Sequence, residues 1–256
     1  MKVNMQQFSG YLAAISDGDS ADRRTGIGGL AKYSESEWDG TPEAVDAAIT
    51  VLNKALRRRG TEAADAPTRT QAAKALGNIG TRSAAVVPEL LRLLTEDADS
   101  AVRTEAARAL GRIGVEAKAA GGALAAVLAA HDGEDALRCE AARALARVDP
   151  QGPDTDAALR KAANDRSGCV GVCAAEALWR ASGDADRAAR ALVARLGDLR
   201  VRNAAAQALN RMGTQAKAAV PALLAVAKDN DRLFHESVVL ALQNIDPRAA
   251  EGARLK

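Results

Sequence analysis

Aromatic side chains are nearly missing from this chain: two Trp, two Tyr and two Phe among 256 residues, 2% of the whole. Such rings supply much of the bulk of an ordinary mixed core, so the volume here comes from Ala, Leu and Val. Ala joins the best helix propensity to the thinnest side chain, which favours helices whose backbones approach closely. The composition therefore predicts an all-α protein. No run of about 18 apolar residues exists to span a bilayer, and the opening "MKVNMQQFSGYLAAISDGD" lacks the unbroken apolar stretch of a signal peptide. A soluble, cytoplasmic protein with no membrane partner is expected. Cys139, Cys169 and Cys173 are odd in number and too few for a disulfide framework, which fits a reducing compartment.

Charge of one sign is also lacking. Thirty-five Lys and Arg face 33 Asp and Glu, a net +2, so no strong global field draws the chain to nucleic acid or an anionic membrane, and electrostatic binding must be local. Histidine is limited to His131 and His235. A catalytic or metal site needs several polar groups to converge, and the inventory supplies none. Cys169 and Cys173 stand at i and i+4 without a nearby second ligand pair and read as small helix residues. "GIGGL" has no preceding strand and is not a nucleotide loop. No catalytic residue, metal or cofactor is expected.

Repetition is what the chain has in abundance. "DSAVRTEAARALGRIG" at 99–114 is rewritten as "DLRVRNAAAQALNRMG" at 198–213. Aligning on the leucine that ends each "AA-x-AL" gives seven anchors: Leu30, Leu76, Leu110, Leu145, Leu178, Leu209 and Leu242. The last six are spaced 34, 35, 33, 31 and 33 residues apart, and the first gap is 46. Twelve residues after an anchor a proline recurs at Pro42, Pro88 and Pro221, with Gly122 in the same place, before a second apolar run. Proline suits the first turn of a helix, where its missing N–H costs nothing, so each unit is two helices. Neither helix can bury its stripe alone, and the units must stack.

The pattern "D-x-x-VR-x-x-AA-x-ALG-x-IG … AVPALL" resembles the HEAT repeat, in particular the short HEAT-like repeat named after the bilin lyases, over roughly residues 19 to 246. The resemblance implies a right-handed α-solenoid of about six to seven two-helix repeats. Residues 1–18 are expected to form a capping helix, with Phe8, Tyr11, Leu12 and Ile15 on one face; 19–232 are expected to hold six repeats, and 233–256 a half repeat and tail. Proteins with such repeats include scaffolds, regulators, bilin lyases, an iron-dependent hydroxylase and DNA glycosylases, so the fold alone does not select a function. The His-Glu pairs of the hydroxylase are reduced here to His235-Glu236. Trp38 and Trp179 do not match the glycosylase pattern.

Two stripes stand out. Eleven residues before the anchors come Asp19, Asp65, Asp99, Glu134 and Asp198, with Asp231 in the last unit; seven before come Arg23, Arg69, Arg103, Arg138 and Arg202. An offset of seven brings the arginine within about 20° of the anchor's direction, toward the stack. These residues are expected to form a structural ladder, the acid capping its helix and pairing with the arginine four residues on; the resemblance implies an Asp–Arg ladder of this kind. Around Leu178 both partners are lost, to Ser167 and Gly171, marking the weakest joint. The second stripe, at five and two before the anchor and two after it, should face water: Glu105, Arg108, Arg112; Glu140, Arg143, Arg147; Cys173, Glu176, Arg180; Ala204, Gln207, Arg211, extended by Lys74 and Lys32. Partner-binding candidates are Lys32, Trp38, Arg108, Arg112, Arg143, Arg147, Arg180, Arg211 and Leu240. Leu240 sits on an apolar C-terminal edge suited to self-association. The expected role is a non-enzymatic scaffold or adaptor for a protein partner. A nucleic-acid binder using the convex arginines is the alternative, and a bilin-lyase-like chaperone or lyase subunit comes third, from resemblance alone.

Overall fold

The computed structural model describes residues 5–17, 20–33, 42–57, 66–130 and 134–254. Among them every regular element is helical. The chain divides into two compact units, Met1–Asp149 and Pro150–Lys256.

In the first unit α1 (Met5–Asp17) packs on α2 (Ser20–Leu30), and α3 (Pro42–Leu56) follows as the second helix of that repeat. Then come α4 (Ala66–Ile79) with α5 (Val87–Glu96), α6 (Ser100–Ile113) with α7 (Gly121–Ala129), and α8 (Asp135–Val148). First helices stack as one layer, α2 on α4 on α6 on α8, and second helices as another, α3 on α5 on α7. The anchors Leu30, Leu76 and Leu110 are fully buried, and Leu145 nearly so. On α1, Phe8 and Ile15 are buried while Tyr11 and Leu12 are half-buried.

The glycine of "ALG" explains how closely the layer packs. A Cβ on Gly111 would lie 2.8 Å from the Ala144 Cα, and one on Gly77 would lie 2.9 Å from the Ala109 Cα. Only hydrogen fits between these helices. The "IG" pair, or Met212-Gly213 in the repeat of Leu209, then ends its helix: Gly80, Gly114 and Gly213 take φ of 71°, 76° and 55°, a region other residues rarely adopt. A 3-10 turn follows each of them, as in Gly114–Ala120, leading into the second helix.

The second unit holds α9 (Pro153–Ala162), α10 (Gly168–Ser182), α11 (Ala185–Val193), α12 (Arg202–Met212), α13 (Val220–Val226), α14 (Arg232–Ile245) and α15 (Pro247–Arg254). Its first helices stack α10 on α12 on α14. Where the sequence reads as a half repeat, α15 forms a short second helix packed on α14. Pro247 at its first turn and the Asp246 carboxylate, accepting from the Arg248 and Ala249 amides at 3.1 and 3.3 Å, start a helix that the polar composition disguised. Val238, Val239 and Leu242 are buried, and the exposed large apolar residues of α14 are Leu233 and Leu240, 64% and 55% exposed.

Candidate functional site: a basic groove beside a neutralised stripe

The inner ladder is wired differently from its sequence reading. Asp99 caps α6, accepting from the Ala101 and Val102 amides at 2.8 and 3.2 Å, and Asp231 caps α14 in the same way. The arginine four residues on does not pair with that cap. Arg103 donates instead to the carbonyls of Asp97 and Ala98 at 2.7 and 3.1 Å, and the 2%-exposed Arg138 donates to the Leu128 carbonyl at 3.2 Å, with Asp135 3.5 Å away. The guanidinium therefore satisfies carbonyls the preceding second helix leaves open. Arg69 reaches forward, binding Asp97 at 2.7 and 3.0 Å in a two-point pair. Arg202 likewise binds Asp229 and Asp231 at 2.9 and 2.7 Å, stacked 4.5 Å over the Phe234 ring.

Sequence reasoning missed the acid thirteen residues before the anchor. Asp97, Asp165 and Asp229 each accept from the amide two residues on, at 2.8–3.0 Å, making an Asx turn ahead of the next first helix. A D-x-[DS] spacing in the linkers is its signal. Of the other ladder residues, Glu134 precedes α8 without a side-chain cap, Asp198 pairs with Arg200, and Arg23 is half-buried. Asp19 and Asp65 lie outside the described residues.

The joint around Leu178 is not vacant. The Arg195 guanidinium occupies the space a side chain at Gly171 would need, 2.7 Å from a Cβ placed there, and donates to the Ala163 and Asp165 carbonyls at 3.3 and 2.7 Å. A neighbouring segment supplies the missing arginine. In the last unit His235 takes the position, its Nδ1 2.7 Å from the Ala227 carbonyl. Cys173 is buried and Cys169 exposed on α10.

The outer stripe is largely spent on itself. Glu105 is buried, contrary to the expectation that its position sees water; it accepts from Arg108 at 2.6 Å, which also meets Glu140 on the next helix at 3.3 Å. Arg143 pairs with the same Glu140 at 2.7 Å. Glu176 holds Arg180 at 3.0 Å and Arg211 at 2.9 Å; burial raises the Glu176 pKa, but the hydrogen bond and charge of Arg211, then those of Arg180, outweigh it and leave the carboxyl below its usual range. Four of the predicted partner arginines, Arg108, Arg143, Arg180 and Arg211, are thus already matched. Arg147 is exposed on α8 and Leu240 on α14. Trp38 lies outside the described residues.

Lys32 and Arg112 have a different setting. Together with Arg24 and Lys74 they line a groove of about 770 Å³ formed by α1, α2, α4 and α6, whose walls carry no Asp or Glu among the described residues. None of the four cations has a carboxylate partner among the described residues. Asn78 orients the wall: its Nδ2 donates to the Ala31 carbonyl at 2.8 Å, and its Oδ1 accepts from Arg112 at 2.6 Å. Gly29 lets the Tyr11 ring lie on α2, since a Cβ there would be 2.5 Å from the ring carbons. Gly28 forms an open part of the wall, with nothing within 4 Å of a Cβ. Arg24, Tyr11 and Asn78 were not singled out by the repeat pattern, because it ranks positions by phase and the groove is made where the capping helix meets the stack.

Two-helix units stacked in parallel layers define a helical-repeat protein. Residues 53–130 match the family described as HEAT repeats, and residues 201–229 match the PBS lyase HEAT-like repeat. The chain carries HEAT-like repeats. No curated protein matches it. Among solved structures it is similar to an engineered protein (25% identity, TM-score 0.53, covering 99% of this chain and 71% of that one). It also resembles a designed armadillo repeat protein in complex with the peptide (KR)4 (18%, 0.52, 92% and 98%) and Kap121p bound to Pho4p (16%, 0.52, 97% and 33%).

Proposed function

We propose that this protein is a non-enzymatic scaffold that holds a protein partner on the outer, first-helix face of its repeats. The observation that carries the reading is a contrast among first helices: Arg108 and Arg143 of the first unit are neutralised by Glu105 and Glu140, and Arg180 and Arg211 of the second by Glu176, whereas among the described residues the groove bearing Lys32 and Arg112 is lined by no Asp or Glu. A phosphate backbone calls for a continuous positive stripe, and the paired arginines interrupt one. The armadillo protein's peptide and Kap121p's Pho4p support a polypeptide as the kind of partner such stacked helices take.

The test is affinity purification of the tagged full chain with and without nuclease. A protein retained in stoichiometric amount after nuclease is the expected result. Loss of everything bound, together with DNA binding that weakens steeply between about 50 and 200 mM salt, would overturn it in favour of nucleic acid.

A further inference from the structure

We infer that the groove lined by Arg24, Lys32, Lys74 and Arg112 is the docking site for a short acidic peptide segment of that partner; this rests on the scaffold reading above. The cavity is far larger than one inorganic anion needs and lies within the 300–1,000 Å³ range typical of sites that enclose extended ligands, at about 770 Å³. Its charges come from α2 and the turn after it, from α4 and from α6. First helices stacked about 8–10 Å apart spread that set over some 16–20 Å, which an extended peptide covers with about five or six residues at roughly 3.3 Å each.

The rest of the lining suits a polypeptide. Gln71 and Tyr11 line it as polar residues able to bond main-chain amides, beside Thr25 and Asn78, whose hydroxyl and amide also bond Ala21, Ala31 and Arg112. Beyond Arg112 the positive surface thins, because Arg108 and Arg143 are matched by Glu105 and Glu140 and Arg147 is the exposed arginine that α8 adds. A nucleic-acid strand would need the charge to continue and more than one ring to stack its bases; among the described residues the groove lining offers Tyr11 alone. Asn78 holds Arg112 in place before any ligand arrives, lowering the cost of ordering it on binding.

The experiment is fluorescence anisotropy of the full chain with labelled hexaglutamate, hexalysine and a 20-nucleotide single strand, using Gly28→Glu and Lys74→Glu as groove variants and Arg248→Glu on α15 as an exposed control. Gly28→Glu places a carboxylate on the groove wall where a Cβ has open space, and thermal melts verify that both variants stay folded. Hexaglutamate should bind the wild type and the control equally and each groove variant at least about tenfold more weakly, roughly 1.4 kcal/mol; hexalysine should not bind. Failure of hexaglutamate to bind, unchanged affinity in folded groove variants, tighter binding of the single strand, or displacement by inorganic phosphate as effective as by unlabelled hexaglutamate would each overturn the proposal. Affinity purification with the same variants separates the two readings. A nuclease-resistant partner kept by Lys74→Glu sinks the groove and spares the scaffold, while no protein captured even by the wild type sinks the scaffold.

Discussion

A guanidinium buried between helices is held by everything it donates to, and its removal strands those partners. Arg69→Ala should leave Asp97, whose side chain is 5% exposed, as an unpaired buried charge, a loss of about 3–5 kcal/mol. Arg112→Ala removes an exposed side chain bonded to a neutral amide and should cost no more than about 1 kcal/mol. Thermal or urea melts of the two variants measure the gap, and equal shifts would contradict the ladder geometry. Glu176 sets a second test. Its folded pKa lies below the ordinary 4.5, so its contribution is complete above about pH 4.5 and is lost as pH falls through the depressed value. Glu176→Gln should flatten the acid limb of the stability–pH profile below about pH 5, relative to wild type.

Two glycines on the first-helix layer should answer the same substitution with opposite signs. Gly111→Ala forces a methyl against the Ala144 backbone at 2.8 Å and should destabilise by about 1–3 kcal/mol despite better helix propensity. Gly28→Ala meets open space and should stabilise by up to about 1 kcal/mol. Chemical denaturation of both variants decides it. The helices themselves were readable because Leu76, Leu110 and Leu209 repeat at a helical phase with a proline or glycine twelve residues on. The ladder's wiring was not, since Asp97 and Asp229 stand in linkers that an alignment anchored inside helices leaves unexamined. Nor did the pattern foresee α15, because Asp246 and Pro247 start a helix through capping and not through apolar periodicity. The groove was half legible: Lys32, Lys74 and Arg112 share the outer stripe, but Arg24 and Tyr11 join them through the packing of α1 on α2, and no repeat phase encodes that contact.

For the molecule as a whole, self-association through α14 depends on the apolar area its described residues leave exposed. Leu233 and Leu240 lie seven residues apart on one face of α14, and their apolar neighbours are covered; two leucines fall well short of the roughly 800 Å² per partner of a standard interface. Leu240→Arg should therefore leave both melting temperature and light-scattering mass unchanged across concentrations, and a mass that drops in the variant would restore the edge as an association surface. The forward reach of Arg69 to Asp97 and of Arg202 to Asp229 and Asp231 gives each of these stacks a grammatical direction. A repeat is completed by the one written after it. Opening α14 with its linker releases Arg202 from both carboxylates, whereas opening α12 leaves Asp231 still capping α14 through the Leu233 and Phe234 amides. Hydrogen exchange at α12 should consequently track the opening of α14 more faithfully than the reverse, so that within this pair disorder entering at α14 is passed backward to α12, against the order in which the ribosome made them.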